Sequence, residues 1–281
     1  LGFRLFVPTT SAQAILSGIV ELAVTVLTPC LIIMKAFRTR FFRAVQAWLP
    51  TLLPSLATAL LIFLVLIPFI CETLVVRANP MAPTLLGEHW RGKCRECGHP
   101  SFCSPEDARY RRPETSGMIC ENFHVNEGAD VSQRILGPDR ILVAKFFRPE
   151  RWNLVVFRHP NDSSTLDVKR LVGLPGETIH IEGGKVWANG RQLEPPEHLD
   201  GIEYLSESSG WFDGTWGSPD RPAVLGADEY FVLGDFSLRS NDSRTWEEGA
   251  VGHNPFAVPQ SHMRGVVTHI YWPPQRWRIL R

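Results

Sequence analysis

Cys94, Cys97, Cys103 and Cys120 stand close together within residues 88–138, while the other two cysteines, Cys30 and Cys71, lie in apolar runs. Cys94-Arg-Glu-Cys97-Gly has the C-x-x-C-G form of a zinc knuckle, in which two thiolates reach one tetrahedral ion from a single tight turn. Cys120 could open a second knuckle, but Phe123 occupies its partner's place, so Cys103, His99 or His124 would have to complete the site. Two disulfides are the competing chemistry, favoured by an oxidising compartment; free thiols are the third. In every case the role is structural.

The chain that positions these residues has 281 of them, with 29 basic and 29 acidic side chains, a balance that argues against nucleic acid or another polyanion as partner. Its apolar residues crowd the first third. Residues 49–71 carry no charge, and as a helix they would rise roughly 35 Å, enough to cross a hydrocarbon core of roughly 30 Å. Pro50, Pro54 and Pro68 fall near the ends of this run, where lost hydrogen bonds are best tolerated. Residues 15–34 are a candidate first transmembrane helix, with Glu21 inside it and a kink expected at Pro29; an amphipathic or partner-packed helix is the alternative. The basic loop 35–43, with Lys35, Arg38, Arg40 and Arg43, belongs on the cytoplasmic side and so delivers residues 72–281 to the outer face. Because the sequence begins at Leu1, it is expected to be a fragment or to use an unusual start codon.

From residue 72 the texture changes to short β-favouring runs broken by Gly, Pro and Asp, including RILVAKFF, NLVVFRHP, EYFVLGDF and GVVTHIYW. This predicts a mainly β domain carrying the cysteine-bearing insertion 88–138. Gly183-Gly184 between TIHIE and KVWA predicts a two-residue hairpin. Residues 194–228, rich in Pro, Gly, Ser and acidic groups, read as a peripheral loop.

Four further stretches stand in register: PMAPTLLG (80–87), ERWNLVVFRHP (150–160), DVKRLVGLPGE (167–177) and LGDFSLRSNDSR (233–244). With the upstream span they resemble bacterial signal peptidase I, the membrane-anchored serine endopeptidase that removes signal peptides from exported preproteins. The resemblance implies a Ser/Lys dyad on a mainly β fold, with no metal or cofactor in catalysis. It makes Lys169 the general base, Ser240 the hydroxyl that orients it, and Asp242, Arg244 and Arg170 supporting residues, with Met81, Pro83 and Thr84 in the substrate-groove motif. It also implies cleavage after a small residue at the surface of the inner membrane, with preproteins and the lipid bilayer as partners. Such a lysine must shed its proton to work, which requires its ordinary pKa of about 10.4 to fall toward neutrality by burial. Val168, Leu171 and Val172 are its apolar neighbours in sequence.

Pro80 stands where the family motif has its attacking serine, because Met81, Pro83, Thr84 and Leu85 follow in register. Proline has no hydroxyl and no backbone N–H, so both the nucleophile and one oxyanion donor are missing; such a donor is worth about 10²–10³ in rate. Ala78 replaces a residue from which some members donate a second hydrogen bond, and Asn79 is no nucleophile. Three accounts fit: a single-base difference from a serine codon, a member that binds signal peptides without cutting, or attack by Thr84. A metal-sensing or assembly protein centred on the cysteines is a reading from another class.

Overall fold

The computed structural model describes residues 27–62, 64, 69–105, 117–127, 129–132, 134–206 and 215–280. The chain separates into two units, Leu1–Ile67 and Pro68–Arg281.

The described part of the first unit is helical: α1 (Leu27–Phe37), α2 (Phe41–Trp48) and α3 (Leu52–Leu61). Arg38, at φ 50°, breaks the chain within the basic stretch. A 3₁₀ turn, Leu49–Thr51, joins α2 to α3 where Pro50 and Pro54 withhold N–H donors, and Thr51 Oγ1 donates to the Trp48 carbonyl at 2.6 Å. The helical stretch Phe41–Leu61 is long and apolar enough to cross a membrane. It starts ahead of the expected 49–71 because the prolines are absorbed by a turn inside the helix. Cys71, expected to end the helix, opens a strand. Most of the expected span 15–34, with Glu21, lies outside the described residues; from Leu27 onward it is helical.

The second unit is mainly β. Its first strands are β1 (Cys71–Val75), β2 (Trp90–Lys93), β3 (Pro100–Cys103), β4 (Gly117–Cys120), β5 (Val125–Glu127) and β6 (Arg140–Ala144). There follow β7 (Leu154–Arg158), β8 (Leu166–Gly173), β9 (Thr178–Glu182), β10 (Lys185–Ala188) and β11 (Arg191–Gln192). The last are β12 (Ala223–Val224), β13 (Glu229–Leu233), β14 (Val258–Pro259), β15 (Met263–Trp272) and β16 (Arg278–Ile279). The large sheet runs β1-β6-β15-β7-β8-β13-β14, with β16 paired to β15, and two smaller sheets run β11-β10-β9-β12 and β2-β3-β4-β5. All their pairings are antiparallel. β9 and β10 are joined at Gly183 and Gly184, both at positive φ, as a primed two-residue turn requires.

Alternation along the strands sorts the core. On β7, Leu154 and Val156 pack with Ile141, Val143 and Val267, whereas Val155 and Phe157 pack with Leu171, Val232 and Trp246. The stretch 194–228 is not wholly peripheral. Leu199, Ile202, Tyr204, Ala223 and Leu225 are buried in one cluster with Val172, Ile179 and Phe231, because isolated apolar residues in a polar loop can still pin it to a sheet.

Candidate active site

Lys169, 2% exposed, lies on β8 opposite Val155 and shares a strand face with Leu171. Its neighbours Val168 and Val172 turn to the other face, so of the three apolar residues flanking it in sequence only Leu171 accompanies it. The Nζ lies 3.8 Å from Asp167 Oδ1, an ion pair that sequence reasoning missed. Next to β8, Leu233 of β13 pairs with Arg170, so Gly234 continues the ladder level with Lys169.

Gly234 is where three stretches of chain converge. A β-carbon placed on it would stand 2.0 Å from Ser240 Oγ and 2.7 Å from the Pro80 carbonyl oxygen. That same carbonyl accepts from the Phe236 N–H at 3.0 Å. Ser240 Oγ is buried, and among the described residues nothing hydrogen-bonds it. Alanine at 234 would force Ser240 or Pro80 aside. Gly234→Ala is therefore expected to destabilise the domain by about 1–3 kcal/mol through overpacking, read as a lower urea midpoint in detergent; an unchanged midpoint would contradict this geometry.

The loop bearing Pro80 is pinned from both sides. Leu85 N–H donates to the Met81 carbonyl at 2.8 Å, and Asn79 bridges forward, its Oδ1 accepting from Gly87 N–H and its Nδ2 donating to the Glu88 carbonyl. Met81 and Leu85 enter one apolar cluster; Ala82 and Leu86 enter another with Phe102, Ile119 and Phe236. Thr84 is buried and donates from Oγ1 to Asp235 Oδ2 at 2.5 Å, which leaves its hydroxyl committed to structure. Pro83 and Thr84 offer their carbonyls to Arg276, itself paired with Asp139, and Arg278 also reaches the Thr84 carbonyl.

Two buried ion pairs hold the surrounding loops. Arg244 meets Asp242 through two 2.9 Å bonds and donates to Ser237 Oγ and the Leu205 and Ser237 carbonyls, while Asp242 Oδ2 accepts from Gly234 N–H. Burial would raise the Asp242 carboxyl, but the Arg244 guanidinium and the Gly234 amide outweigh it and hold the group below the usual carboxylate range. Arg170 grips Asp235 at 2.7 and 2.5 Å and donates to the Trp152 carbonyl. Burial opposes its charge, yet Asp235 prevails and raises its pKa. Asp235 was the residue missed here, although it belongs to the same GDF motif. A cleft of about 530 Å³ beside this pair is lined by Thr84, Glu121, Phe123, Arg170, His198 and Arg278 among others; Lys169, Pro80 and Ser240 do not line it.

Residues 88–138 gather Cys94, Cys97, Cys120 and His124, with ligand atoms all within 4.8 Å of one another. Cys103 is not in the group. Ser101, two residues before it on β3, pairs with Cys120, so Cys103 lies about 7 Å further along the strand, opposite Trp90. No disulfide joins any of the six cysteines. Burial would raise the Cys94 thiol, but donor bonds from Asn126 and backbone amides bring it to about 6, whereas burial pushes Cys120 up to about 12.

The family model described as "Signal peptidase, peptidase S26" matches residues 115–272. A signal peptidase I of Leptolyngbya laminosa is 32% identical over 150 residues, covering 49% of this chain and 62% of its own. One from Rickettsia prowazekii (strain Madrid E) is 36% identical over 118 residues, covering 34% and 45%. The chain spans about half the length of the curated relatives it matches. A crystal structure of a signal peptidase I from Enterococcus faecalis V583 overlaps 43% of this chain and 98% of its own, with 26% identity and a TM-score of 0.32.

Proposed function

This chain belongs to the signal peptidase family, peptidase S26, and from that membership we propose that it engages the signal peptides of exported preproteins at a signal peptidase I site whose base is present and whose nucleophile is not. One observation carries the reading: buried Lys169 stands level with Gly234, where the Ser240 hydroxyl and the Pro80 carbonyl meet. In Ser/Lys proteolysis a serine Oγ attacks the scissile carbonyl while a neutral lysine amine accepts its proton, and that proton later goes to the departing amine. Here the loop at position 80 packs at Gly234, but proline brings neither the hydroxyl nor the N–H that would support the oxyanion. Thr84 is no substitute, since its hydroxyl is buried against Asp235.

Ser240 fits a supporting role. A buried hydroxyl without a partner carries a desolvation penalty of about 1–3 kcal/mol, and a lysine amine or a docked peptide would relieve it. The inner membrane is the proposed location, with the β domain on the extracytoplasmic side. This is supported by the apolar helix Phe41–Leu61, by Lys35, Arg38 and Arg40 ahead of it and by Arg43 in its first turn. A substrate held in the same bilayer by its own apolar region would reach the site in two dimensions.

The test is binding without turnover. Detergent-solubilised chain is expected to bind a fluorescent signal peptide saturably, to lose that binding when the peptide's apolar stretch is replaced by polar residues, and to yield no cleavage product. Product from the sequence as given, or no saturable binding, would sink the proposal.

A further inference from the structure

The four-stranded sheet β2-β3-β4-β5 carries a constellation that proteolysis does not use. Two turns in it are built alike. In the first, Cys94 N–H donates to the His99 carbonyl, Gly98 N–H returns to the Cys94 carbonyl, and Gly98 has φ 72°. In the second, Cys120 N–H donates to the His124 carbonyl, Phe123 N–H returns to the Cys120 carbonyl, and Phe123 has φ 62°. The first turn presents Cys94 and Cys97; the second presents Cys120 and His124. A bulky aromatic in the left-handed region is uncommon, and it is what lets the residue after Phe123 swing in as the fourth ligand.

We propose that Cys94, Cys97, Cys120 and His124 form a structural Cys₃His zinc site that locks the 120–124 turn as a wall of the cleft beside Thr84. The spacing matches the ion. Bonds of about 2.3 Å to sulfur and about 2.0–2.1 Å to nitrogen in a tetrahedron put sulfurs about 3.8 Å apart and sulfur and nitrogen about 3.6 Å apart. Cys97 and Cys120 Sγ are 3.7 Å apart, and Cys94 Sγ is 3.9 Å from His124 Nδ1. A disulfide would need about 2.05 Å. Asn126 Nδ2 donates to Cys94 Sγ at 3.1 Å, the kind of outer contact that orients a metal-bound thiolate. The locked turn matters to its neighbours because Phe123 packs against Ala82, Leu86 and Phe236, and Glu121 and Phe123 both line the cleft.

The experiment uses the full chain, purified in detergent under reducing conditions with zinc supplied. About one zinc per chain should survive desalting, and cobalt exchange should produce sulfur-to-metal charge-transfer bands with tetrahedral d–d bands. Cys97→Ser and His124→Asn should each weaken zinc binding at least about tenfold, while Cys103→Ser keeps it. Because a ligand variant could unfold the insertion, unsubstituted chain is also stripped with a chelator and followed by amide hydrogen exchange. Residues 120–124 should then exchange about tenfold faster, with β8 and β13 unchanged. Zinc-free chain after reducing purification, a Cys97–Cys120 disulfide in thiol-blocked mass spectra, metal loss in Cys103→Ser, or unaltered exchange on stripping would each overturn the proposal.

Discussion

Pro80→Ser is expected to make this chain cut. The substitution restores a hydroxyl and a backbone N–H at the end of a loop already held by Asn79, Met81 and Leu85, close to Gly234 and Ser240. In detergent with a preprotein substrate, the original sequence should give no product, Pro80→Ser a specific product after the signal peptide, and Pro80→Ser with Lys169→Ala a rate lower by about 10²–10⁴. The double variant separates attack assisted by this lysine from contaminating activity. If the original sequence cuts at the same rate as Pro80→Ser, position 80 is not where the nucleophile belongs.

Arg244→Ala is expected to destabilise the fold strongly. It strips buried Asp242 of its cation and leaves a carboxylate without compensation, a loss of about 3–5 kcal/mol. Its sign with pH is fixed by the carboxyl. In the unsubstituted chain the folded Asp242 pKa is lowered, so the pair stabilises above the unfolded value of about 3.9 and that contribution fades as pH falls through the folded value. In Arg244→Ala the buried carboxyl would take up a proton more readily, so the gap between the two proteins should narrow as pH drops from 7 toward about 4. Urea midpoints at several pH values read this directly. Arg244→Lys should recover a part only, because an ammonium cannot hold both carboxylate oxygens and the Ser237 and Leu205 acceptors in one plane. A constant gap across pH would show that lost packing dominates.

Much of the fold was legible because its signals are local. Continuous runs of β-branched and aromatic residues in NLVVF and EYFVL mark β7 and β13, and Gly183-Gly184 marks a turn only glycine makes cheaply. Lys169, Asp242 and Arg244 could be singled out through motifs, and the structure buries all three. What stayed hidden depends on residues distant in the chain: Arg276 and Arg278 reach the Pro83 and Thr84 carbonyls from the far C-terminus, with no periodicity to announce them. His124 was one of three candidates to complete the cysteine cluster, and choosing it over Cys103 required knowing that Phe123 adopts φ 62° and that β3 carries Cys103 past the cluster. The helix start at Phe41 was missed because an early proline looks like a beginning, whereas Pro50 sits within a 3₁₀ turn between two helical segments.

Lys169 and Arg170 are adjacent basic residues with different surroundings, and the property that tells them apart is parity. β8 sends odd and even residues to different faces, so Lys169 lies on the side of Asp167 and Leu171 while its neighbour braces Asp235 and Thr84. A one-residue slip of β8 against β7 would exchange the faces of the two residues without altering either side chain. The short connection 159–165, closed by bonds between His159 and Thr165 and by Asp162, thus acts as a reading-frame marker for the whole site. Point substitutions there should be tolerated far better than any change in its length.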